Sequence, residues 1–268
     1  MTRNDVVEAA FPSKVAGRAE NVTSNIGIYN RCGTALVMNQ RQTLLIDADD
    51  TLWENNIYFE RAIASFISYL DHQVHTPAEV REHLNRCEHR TIAERGYGLV
   101  SFRRSLAGCF EELYSGPVTE EHRGMIDSFA DIVHDHDIEL LPGVAETLSD
   151  LAARHRLILV TKGDQKEQTG KLARSGLAQW FSDVEVLPEK HPAAYLALRE
   201  HHRCDADSTW MIGNSPRSDI NPALRAGLHA VFIPHSSTWV LEHEEVSEPP
   251  AGRRLLQLDA FGQLLHHF

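Results

Sequence analysis

Five short apolar runs, each rich in β-branched residues, constrain the fold of this chain more than any other feature of its sequence. Runs of this length are typical of strands buried on both faces of a parallel sheet. Single helical segments separate the last four runs, and Asp164 is placed to cap the first of these helices, which should end near Gly176. The sequence therefore predicts an α/β fold with a doubly wound, Rossmann-like parallel sheet. The runs are TLLID at 43–47, LILVT at 157–161, DVEVL at 183–187, TWMIG at 209–213 and HAVFI at 229–233.

The gap between the first two runs holds over a hundred residues without a convincing strand. Apolar residues recur there at helical spacing, and Thr76 opens a capping box with Pro at the first helical position. Four helices joined by short connections predict a small bundle inserted at residues 59–139. Residues 42–58 and 140–268 would then form the core, and the poorly patterned residues 1–41 an N-terminal extension.

Acidic residues crowd together directly after the first run, at Asp47, Asp49 and Asp50. Carboxylates this close raise one another's pKa, so the crowding favours a bound cation or a transferred proton. Open α/β sheets bind ligands beyond the carboxyl ends of their strands, where polar residues also follow the later runs. These residues are Thr161 and Lys162 after the second run, Lys190 after the third, and Asn214, Ser215 and Asp219 after the fourth.

This set of residues is typical of a phosphoryl-transfer site. Asp47 can attack phosphorus to form an aspartyl phosphate, and Asp49 can protonate the leaving oxygen and then activate water. Mg²⁺ prefers oxygen ligands, so Asp47, the backbone carbonyl of Asp49 and Asp219 would suffice to hold it beside the phosphate. Thr161 and Lys190 would hold and neutralise the other phosphoryl oxygens.

At these residues the sequence resembles the haloacid dehalogenase superfamily over about residues 42–235. DADDT matches the first motif of that family, Asp-x-Asp-x-Thr, and Thr161 matches the second. Lys190 in EKHPAAY resembles the third motif, and GNSPRSD resembles the fourth. The resemblance implies a hydrolase that uses Mg²⁺ to cleave a small phosphorylated metabolite. Substrate contacts are also predicted at Thr51 and Lys162. The inserted helices stand at the place where the family carries its C1-type cap.

The fourth motif departs from the family pattern, because Asn214 stands where an acid is usual. One negative charge near the metal is therefore missing, so we expect weaker Mg²⁺ binding or an Asn214 that holds a metal-bound water. The predicted metal ligands are Asp47, Asp49, Asp219 and Asn214. Asp50 stands where the family often has Gly, which leaves a turn residue and a catalytic contact as open alternatives.

Substrate contacts outside the strand ends are predicted at two places. Asn55 and Asn56 lie just past the first motif, close to where the chain leaves for the inserted helices, so either can face the substrate. Arg103 and Arg104 lie on a predicted helix of the insert and can clamp an anionic substrate, although basic residues on a bundle surface are usually solvated.

Charge and composition narrow the class of protein. A formal net charge of −12 without a cluster of Lys and Arg argues against a nucleic-acid partner. No apolar run approaches the ~18 residues that a bilayer span needs. The four cysteines are far apart without a C-x-x-C pair, which favours reduced thiols in a cytoplasmic protein. VHDHDI at 133–138 suggests a metal-dependent HD phosphohydrolase, but that class needs further, well-separated His and Asp ligands.

Three alternatives to a phosphatase stay open at this point. A 2-haloacid dehalogenase would share the fold and nucleophile but needs neither a metal nor a second catalytic acid. A phosphomutase would keep the same residues and pass the phosphoryl group to a second substrate hydroxyl. A non-catalytic binding protein would be free to lose Asp47, Asp49 or Lys190, and only Asn214 favours it.

Overall fold

The computed structural model describes residues 41–70, 74–134 and 136–268, so the predicted N-terminal extension lies almost entirely outside the described residues. Strands and helices alternate along the described chain as the apolar runs predict. The strands are β1 (Thr43–Ile46), β2 (Arg156–Lys162), β3 (Asp183–Leu187), β4 (Thr209–Gly213), β5 (His229–Phe232) and β6 (Leu255–Gln257). The helices are α1 (Asn56–Tyr69), α2 (Pro77–Arg95), α3 (Leu99–Leu113), α4 (Glu120–His134), α5 (Val144–Arg154), α6 (Gln165–Ser175), α7 (Pro192–His201) and α8 (Asn221–Arg225).

The described strands form one six-stranded sheet in the order β3-β2-β1-β4-β5-β6. Every neighbouring pair is parallel, which confirms the predicted α/β fold. The chain moves outward from β1 to β3 on one side and then returns to place β4 on the other side of β1. This reversal opens a crevice at the carboxyl ends of β1 and β4, where such sheets bind their ligands.

Apolar side chains cover the sheet on both faces, as continuous runs of buried residues require. On one face, Leu44 and Ile46 pack with residues of α5, among them Leu148. On the other face, Leu45 belongs to a cluster that includes Tyr195 of α7. The strand β6 has no signal in the sequence, because its three residues are too few to give a periodic pattern.

Helices α1–α4, residues 56–134, are called the helical insert below. They pack around their own apolar cluster, which includes Phe66, Leu84, Leu106 and Phe110. The capping box that opens α2 is confirmed, with Thr76 accepting from the backbone of Glu79. The domain boundaries at 58/59 and 139/140 stay a prediction.

Two neighbouring segments join the helical insert to the sheet. The backbone N–H of Glu54 donates to the carbonyl of Glu139 at 2.9 Å, and that of Leu141 donates to Leu52 at 2.9 Å. The chain therefore leaves the first strand and returns from the insert through one paired connection. None of the described helices combines the length and apolarity that crossing a membrane requires.

Candidate active site

A cavity of about 170 Å³ lies between the carboxyl ends of the strands and the helical insert. From the sheet side it is lined by Asp47 at the end of β1, Thr161 and Lys162 on β2, and Asn214 after β4. The structure thus brings together strand-end residues that are far apart in sequence. Thr161 is only 2% exposed, so its side chain belongs to the buried wall of the cavity.

Lys190 joins two buried carboxylates at the base of the cavity. Its Nζ donates to Asp47 Oδ1 at 2.5 Å and to Asp219 Oδ1 at 2.7 Å, and all three side chains are nearly inaccessible to solvent. Burial by itself would lower the pKa of Lys190, but the charges of Asp219 and Asp47 outweigh it and hold the pKa above its usual value. Burial, followed by the charge of Asp219, raises the pKa of Asp47 to about 7. The cluster therefore carries more negative charge than Lys190 alone neutralises.

Local backbone structure places Asp219 in this cluster. A single π-helical turn, Pro216–Ile220, follows β4, and the backbone N–H of Ser215 donates to Asp219 Oδ2 at 3.0 Å. Gly213 allows the carboxylate to come this close, because a Cβ on Gly213 would lie 2.2 Å from Asp219 Oδ2. Turns of this kind are frequent at functional sites. The glycine at the end of β4 is thus required by the position of the acid.

Asp49 lies beside Asp47 but has a separate set of partners. Lys171 Nζ contacts both carboxylate oxygens at 2.9 Å, Gln168 Nε2 donates to Oδ2 at 2.9 Å, and Trp53 Nε1 donates to Oδ1 at 2.7 Å. Burial favours the neutral acid, but the charge of Lys171 and these hydrogen bonds outweigh it and hold the pKa of Asp49 below its usual value. Asp49 is therefore held in the ionised state.

Thr51 and Asn214 connect the first and fourth strands across the crevice. Thr51 Oγ1 donates to Asp47 Oδ2 at 3.0 Å and contacts Asn214 Oδ1 at 3.3 Å. The amide of Asn214 donates to Thr238 Oγ1 at 3.1 Å, which fixes its oxygen toward Thr51 and Asp47. Asn214 thus offers a neutral oxygen where the family pattern has an acid.

Asp50 is a turn residue, which was one of its two predicted roles. Its backbone φ is +59°, and its carboxylate accepts hydrogen bonds from the backbone N–H groups of Asn55 and Asn56 at the start of α1. Burial raises the pKa of Asp50 to about 7 despite these two hydrogen bonds. Asp50 also lines the cavity.

The two asparagines predicted near the substrate both line the cavity, but each is already hydrogen-bonded. Asn55 Oδ1 accepts from Lys171 at 2.7 Å, and Asn56 Nδ2 donates to the carbonyl of Ser237 at 2.6 Å. Asn55 therefore supports the lysine that holds Asp49. Asn56 fastens the first turn of the helical insert to the loop after β5.

Lys162 lines the cavity with its ammonium group bound by neighbouring side chains. Nζ contacts Glu242 Oε1 at 2.5 Å, Ser218 Oγ at 2.8 Å and Tyr97 Oη at 3.2 Å. Burial by itself would lower the pKa of Lys162, but Glu242, Tyr97 and Glu189 together outweigh it and raise the pKa. The same carboxylate accepts from Ser215 Oγ at 2.6 Å, so Glu242 links β2 to the turn that carries Asp219.

Arg103 does not line the cavity, contrary to the prediction of a substrate contact. Its guanidinium contacts the Asp131 carboxylate and donates to the carbonyl of Asp127 at 3.2 Å, on the side of α3 that packs near α4. The cavity is lined instead by Phe102 and Ser105 of the same helix. The predicted substrate contact of Arg103 is therefore corrected, since the helical phase turns this residue away from the cavity.

Three further residues of the site carry no motif signal. Gln168 and Lys171 lie on α6 and reach back to Asp49, and Glu242 lies in the segment after β5. The (i, i+3) spacing of Gln168 and Lys171 places them on one face of α6 and was the one available clue. Glu242 follows no predicted strand or helix cap, so the sequence offers no reason to single it out.

The oxygen atoms around Asp47 fit a divalent cation. Lys190 contacts both Asp47 and Asp219, and Thr51 contacts both Asp47 and Asn214. Together these side chains offer carboxylate and amide carbonyl oxygens as ligands. Hard cations such as Mg²⁺ prefer such oxygen ligands. Burial and then the charge of Asp219 raise the pKa of Asp47, and a second cation would offset both by favouring the ionised carboxylate.

Comparison with known proteins agrees with this geometry. The family model of haloacid dehalogenase-like hydrolases matches residues 42–227. A haloacid dehalogenase-like family hydrolase from Xanthomonas campestris is 27% identical and superimposes with a TM-score of 0.71, covering 85% of this chain and 94% of its own. A search of curated proteins finds no match.

Two more distant structures share the fold. A 2-haloacid dehalogenase from Pseudomonas syringae pv. Tomato DC3000 is 23% identical with a TM-score of 0.55, covering 85% of this chain and 97% of its own. A predicted phosphoglycolate phosphatase from Haemophilus somnus 129pt is 20% identical with a TM-score of 0.56, covering 86% and 99%. The match of the family model across both sides of the helical insert shows that the chain belongs to the haloacid dehalogenase-like hydrolase family.

Proposed function

We propose that this hydrolase cleaves a small phosphomonoester in a Mg²⁺-dependent reaction, through an aspartyl phosphate on Asp47. The observation that carries the proposal is the buried cluster in which Lys190 contacts both Asp47 and Asp219. Its excess negative charge suits a second cation, and its position at the base of a small cavity suits a reacting phosphoryl group.

Asp47 is the nucleophile in this proposal. One of its oxygens forms a bond to phosphorus while the bond from phosphorus to the ester oxygen breaks, and the leaving oxygen takes a proton from Asp49. Water then attacks the aspartyl phosphate, Asp49 accepts the proton of that water, and inorganic phosphate leaves. Contacts from Lys190 to Oδ1 and from Thr51 to Oδ2 orient the Asp47 carboxylate for the attack.

The metal would be held by Asp47, Asp219 and the oxygen of Asn214, together with the backbone carbonyl of Asp49. When bound, it would supply positive charge to the phosphoryl oxygens and to the carboxylates. Thr161 would donate its hydroxyl to a phosphoryl oxygen, and Lys190 would turn its remaining hydrogen toward the same group.

The ionised state of Asp49 limits its ability to protonate the leaving oxygen in the first step. Because Lys171 holds Asp49 ionised, the residue is ready to accept a proton from water but must first gain a proton to assist a poor leaving group. Esters of acidic alcohols need no such assistance, since their leaving oxygen departs as an anion.

The ionised state of Asp49 also favours a second candidate function, that of a 2-haloacid dehalogenase. A halide leaves without a proton, so an ionised Asp49 does not hinder that reaction, and the neutral Asn214 lowers the demand for a metal. Asp47 would attack carbon in this case, and water would hydrolyse the resulting ester. The second buried acid, Asp219, weighs against this candidate because a dehalogenase needs no metal, and Asp219 is placed as a metal ligand.

The test measures phosphate release from p-nitrophenyl phosphate and from a panel of sugar, nucleoside and alkyl phosphates. Each substrate is assayed with Mg²⁺ and with EDTA, for the wild type and Asp47→Asn, and halide release from 2-chloropropionate is measured in parallel. The proposal predicts metal-dependent phosphate release that Asp47→Asn abolishes. Halide release without phosphate release would replace it with the dehalogenase. Transfer of the phosphoryl group to an added alcohol in place of water would indicate a mutase.

A further inference from the structure

The far wall of the cavity belongs to the helical insert and is mostly apolar. Phe59 and Ile63 of α1, Ile92 of α2 and Phe102 of α3 line it. One carboxylate, that of Glu88 on α2, interrupts this surface. Since carboxylates are rarely buried without a partner, this position needs a physical explanation.

Glu88 is buried without the contacts that normally compensate a carboxylate. The residue is 6% exposed, and its Oε2 has no hydrogen-bond partner among the described residues. The cation whose charge acts on Glu88, Arg81, is already bound to Glu60 through two hydrogen bonds of 2.6 and 2.7 Å. Arg81 therefore gives these hydrogen bonds to Glu60, and its charge does not offset the burial of Glu88.

Two serine hydroxyls of α3 on this wall can accept hydrogen bonds. Ser101 Oγ donates its hydrogen to the carbonyl of Gly96 at 2.7 Å, and Ser105 Oγ donates to the carbonyl of Ser101 at 2.9 Å. Both hydroxyl oxygens keep free lone pairs. No Lys or Arg of the described helical insert lines the cavity. The wall can thus receive a group with several hydrogens and a positive charge, and it would repel a carboxylate.

We propose that Glu88 is a specificity-determining residue that binds a primary ammonium group at the end of the substrate opposite the phosphate. This inference rests on the proposed function, and it names the substrate class as small aminoalkyl phosphomonoesters. The ammonium would donate to Glu88 and to the serine oxygens, and the alkyl segment would lie against Phe59, Ile92 and Phe102. The phosphate end would meet Lys190 and Thr161 on the sheet side.

The test compares matched pairs of substrates that differ only at the far end. Aminoalkyl phosphates from aminoethyl to aminopentyl are paired with alkyl phosphates of equal length, and hydroxyalkyl and carboxyalkyl phosphates complete each set. The full chain is assayed as wild type, Glu88→Gln and Glu94→Gln; Glu94 is an exposed residue of the same helix and serves as the control. Circular dichroism and thermal melting check that each variant is folded.

A charge-assisted hydrogen bond in a buried site is worth roughly 1.5–3 kcal/mol, so the amine should raise kcat/KM by about tenfold or more at the best chain length. Glu88→Gln should remove most of that preference, while Glu94→Gln keeps it. Equal rates for amine and alkyl substrates in the wild type overturn the proposal, as does a preference that survives in Glu88→Gln. A preference for hydroxyalkyl over aminoalkyl phosphates overturns it too, because Glu88 would then recognise a neutral donor.

Binding separates this inference from the proposed hydrolysis. Isothermal titration of the same compounds into Asp47→Asn, with and without Glu88→Gln, measures the amine preference without turnover. An amine preference in binding that depends on Glu88, together with no phosphate release by the wild type, would support the recognition site and refute the phosphatase. Phosphate release without any amine preference, in turnover or in binding, would do the reverse.

Discussion

Replacing Glu88 with Gln should stabilise the folded protein, and more strongly as the pH rises. Burial raises the pKa of Glu88 from 4.5 to about 7, with the charge of Glu60 adding to the effect and Arg81 opposing it. In the unfolded chain the carboxyl ionises near its ordinary pKa, whereas in the folded chain it keeps its proton to about pH 7. The unfolded state therefore binds fewer protons between these two values, and stability falls as the pH rises through that window.

The size of the effect follows from the shift. At about 1.4 kcal/mol for each pKa unit, the ionisation of Glu88 should cost the wild type about 3 kcal/mol of unfolding free energy between roughly pH 4 and pH 8, beside the effect of the groups that both proteins share. Glu88→Gln cannot ionise and should not lose it. The two proteins should thus be nearly equal in stability near pH 4.5, and Glu88→Gln should be more stable by about 3 kcal/mol near pH 8.

Urea denaturation across this pH range, without substrate or metal, measures the difference. Both proteins share every other titrating group, so only the difference between them reports on Glu88. The exposed Glu94→Gln should follow the wild type at every pH. A difference between Glu88→Gln and wild type that stays constant with pH would show that Glu88 is not a buried neutral acid, and the reasoning from burial would be wrong.

Four other outcomes follow from the structure. Lys190→Met leaves two buried carboxylates unpaired and should cost about 3 kcal/mol, part of which added Mg²⁺ restores in urea denaturation. Gly213→Ala places a Cβ where Asp219 lies, so phosphate release should fall at least about tenfold. Arg103→Gln should change phosphate release by less than about twofold, because the side chain pairs on the surface of the insert. Since the pKa of Asp49 lies below its usual value, the ratio of alkyl phosphate to p-nitrophenyl phosphate turnover should rise as the pH is lowered.

Much of the fold follows from the sequence because strands buried on both faces need continuous apolar runs. The five predicted runs agree with β1–β5 to within one residue at either end. The role of Asp164 as the N-cap of α6 is predicted from its short polar side chain. In the structure this side chain accepts hydrogen bonds from the first turn of the helix. β6 is three residues long, and such a strand is defined by its neighbour β5 and not by a pattern of its own.

In the candidate site too, residues at strand ends can be predicted from the sequence, whereas residues on helices and loops cannot. Parallel topology alone brings Asp47, Thr161 and Asn214 to one edge of the sheet, so their positions in the sequence suffice to predict that they meet. Side chains that reach the site from a helix or a loop depend on helical phase and tertiary packing. The contact between Lys171 and Asp49 could therefore not be predicted from the sequence. The predicted substrate contact of Arg103 is wrong for the same reason.

The most direct test of the central claim is to trap the phosphoryl group on Asp47. Wild type and Asp47→Asn are mixed with an excess of p-nitrophenyl phosphate and Mg²⁺, quenched in acid within milliseconds to seconds, digested and analysed by mass spectrometry. The account predicts a phosphorylated peptide containing Asp47 in the wild type and none in Asp47→Asn. Steady phosphate release by the wild type with the phosphoryl group on another residue, or undiminished release by Asp47→Asn, would contradict it.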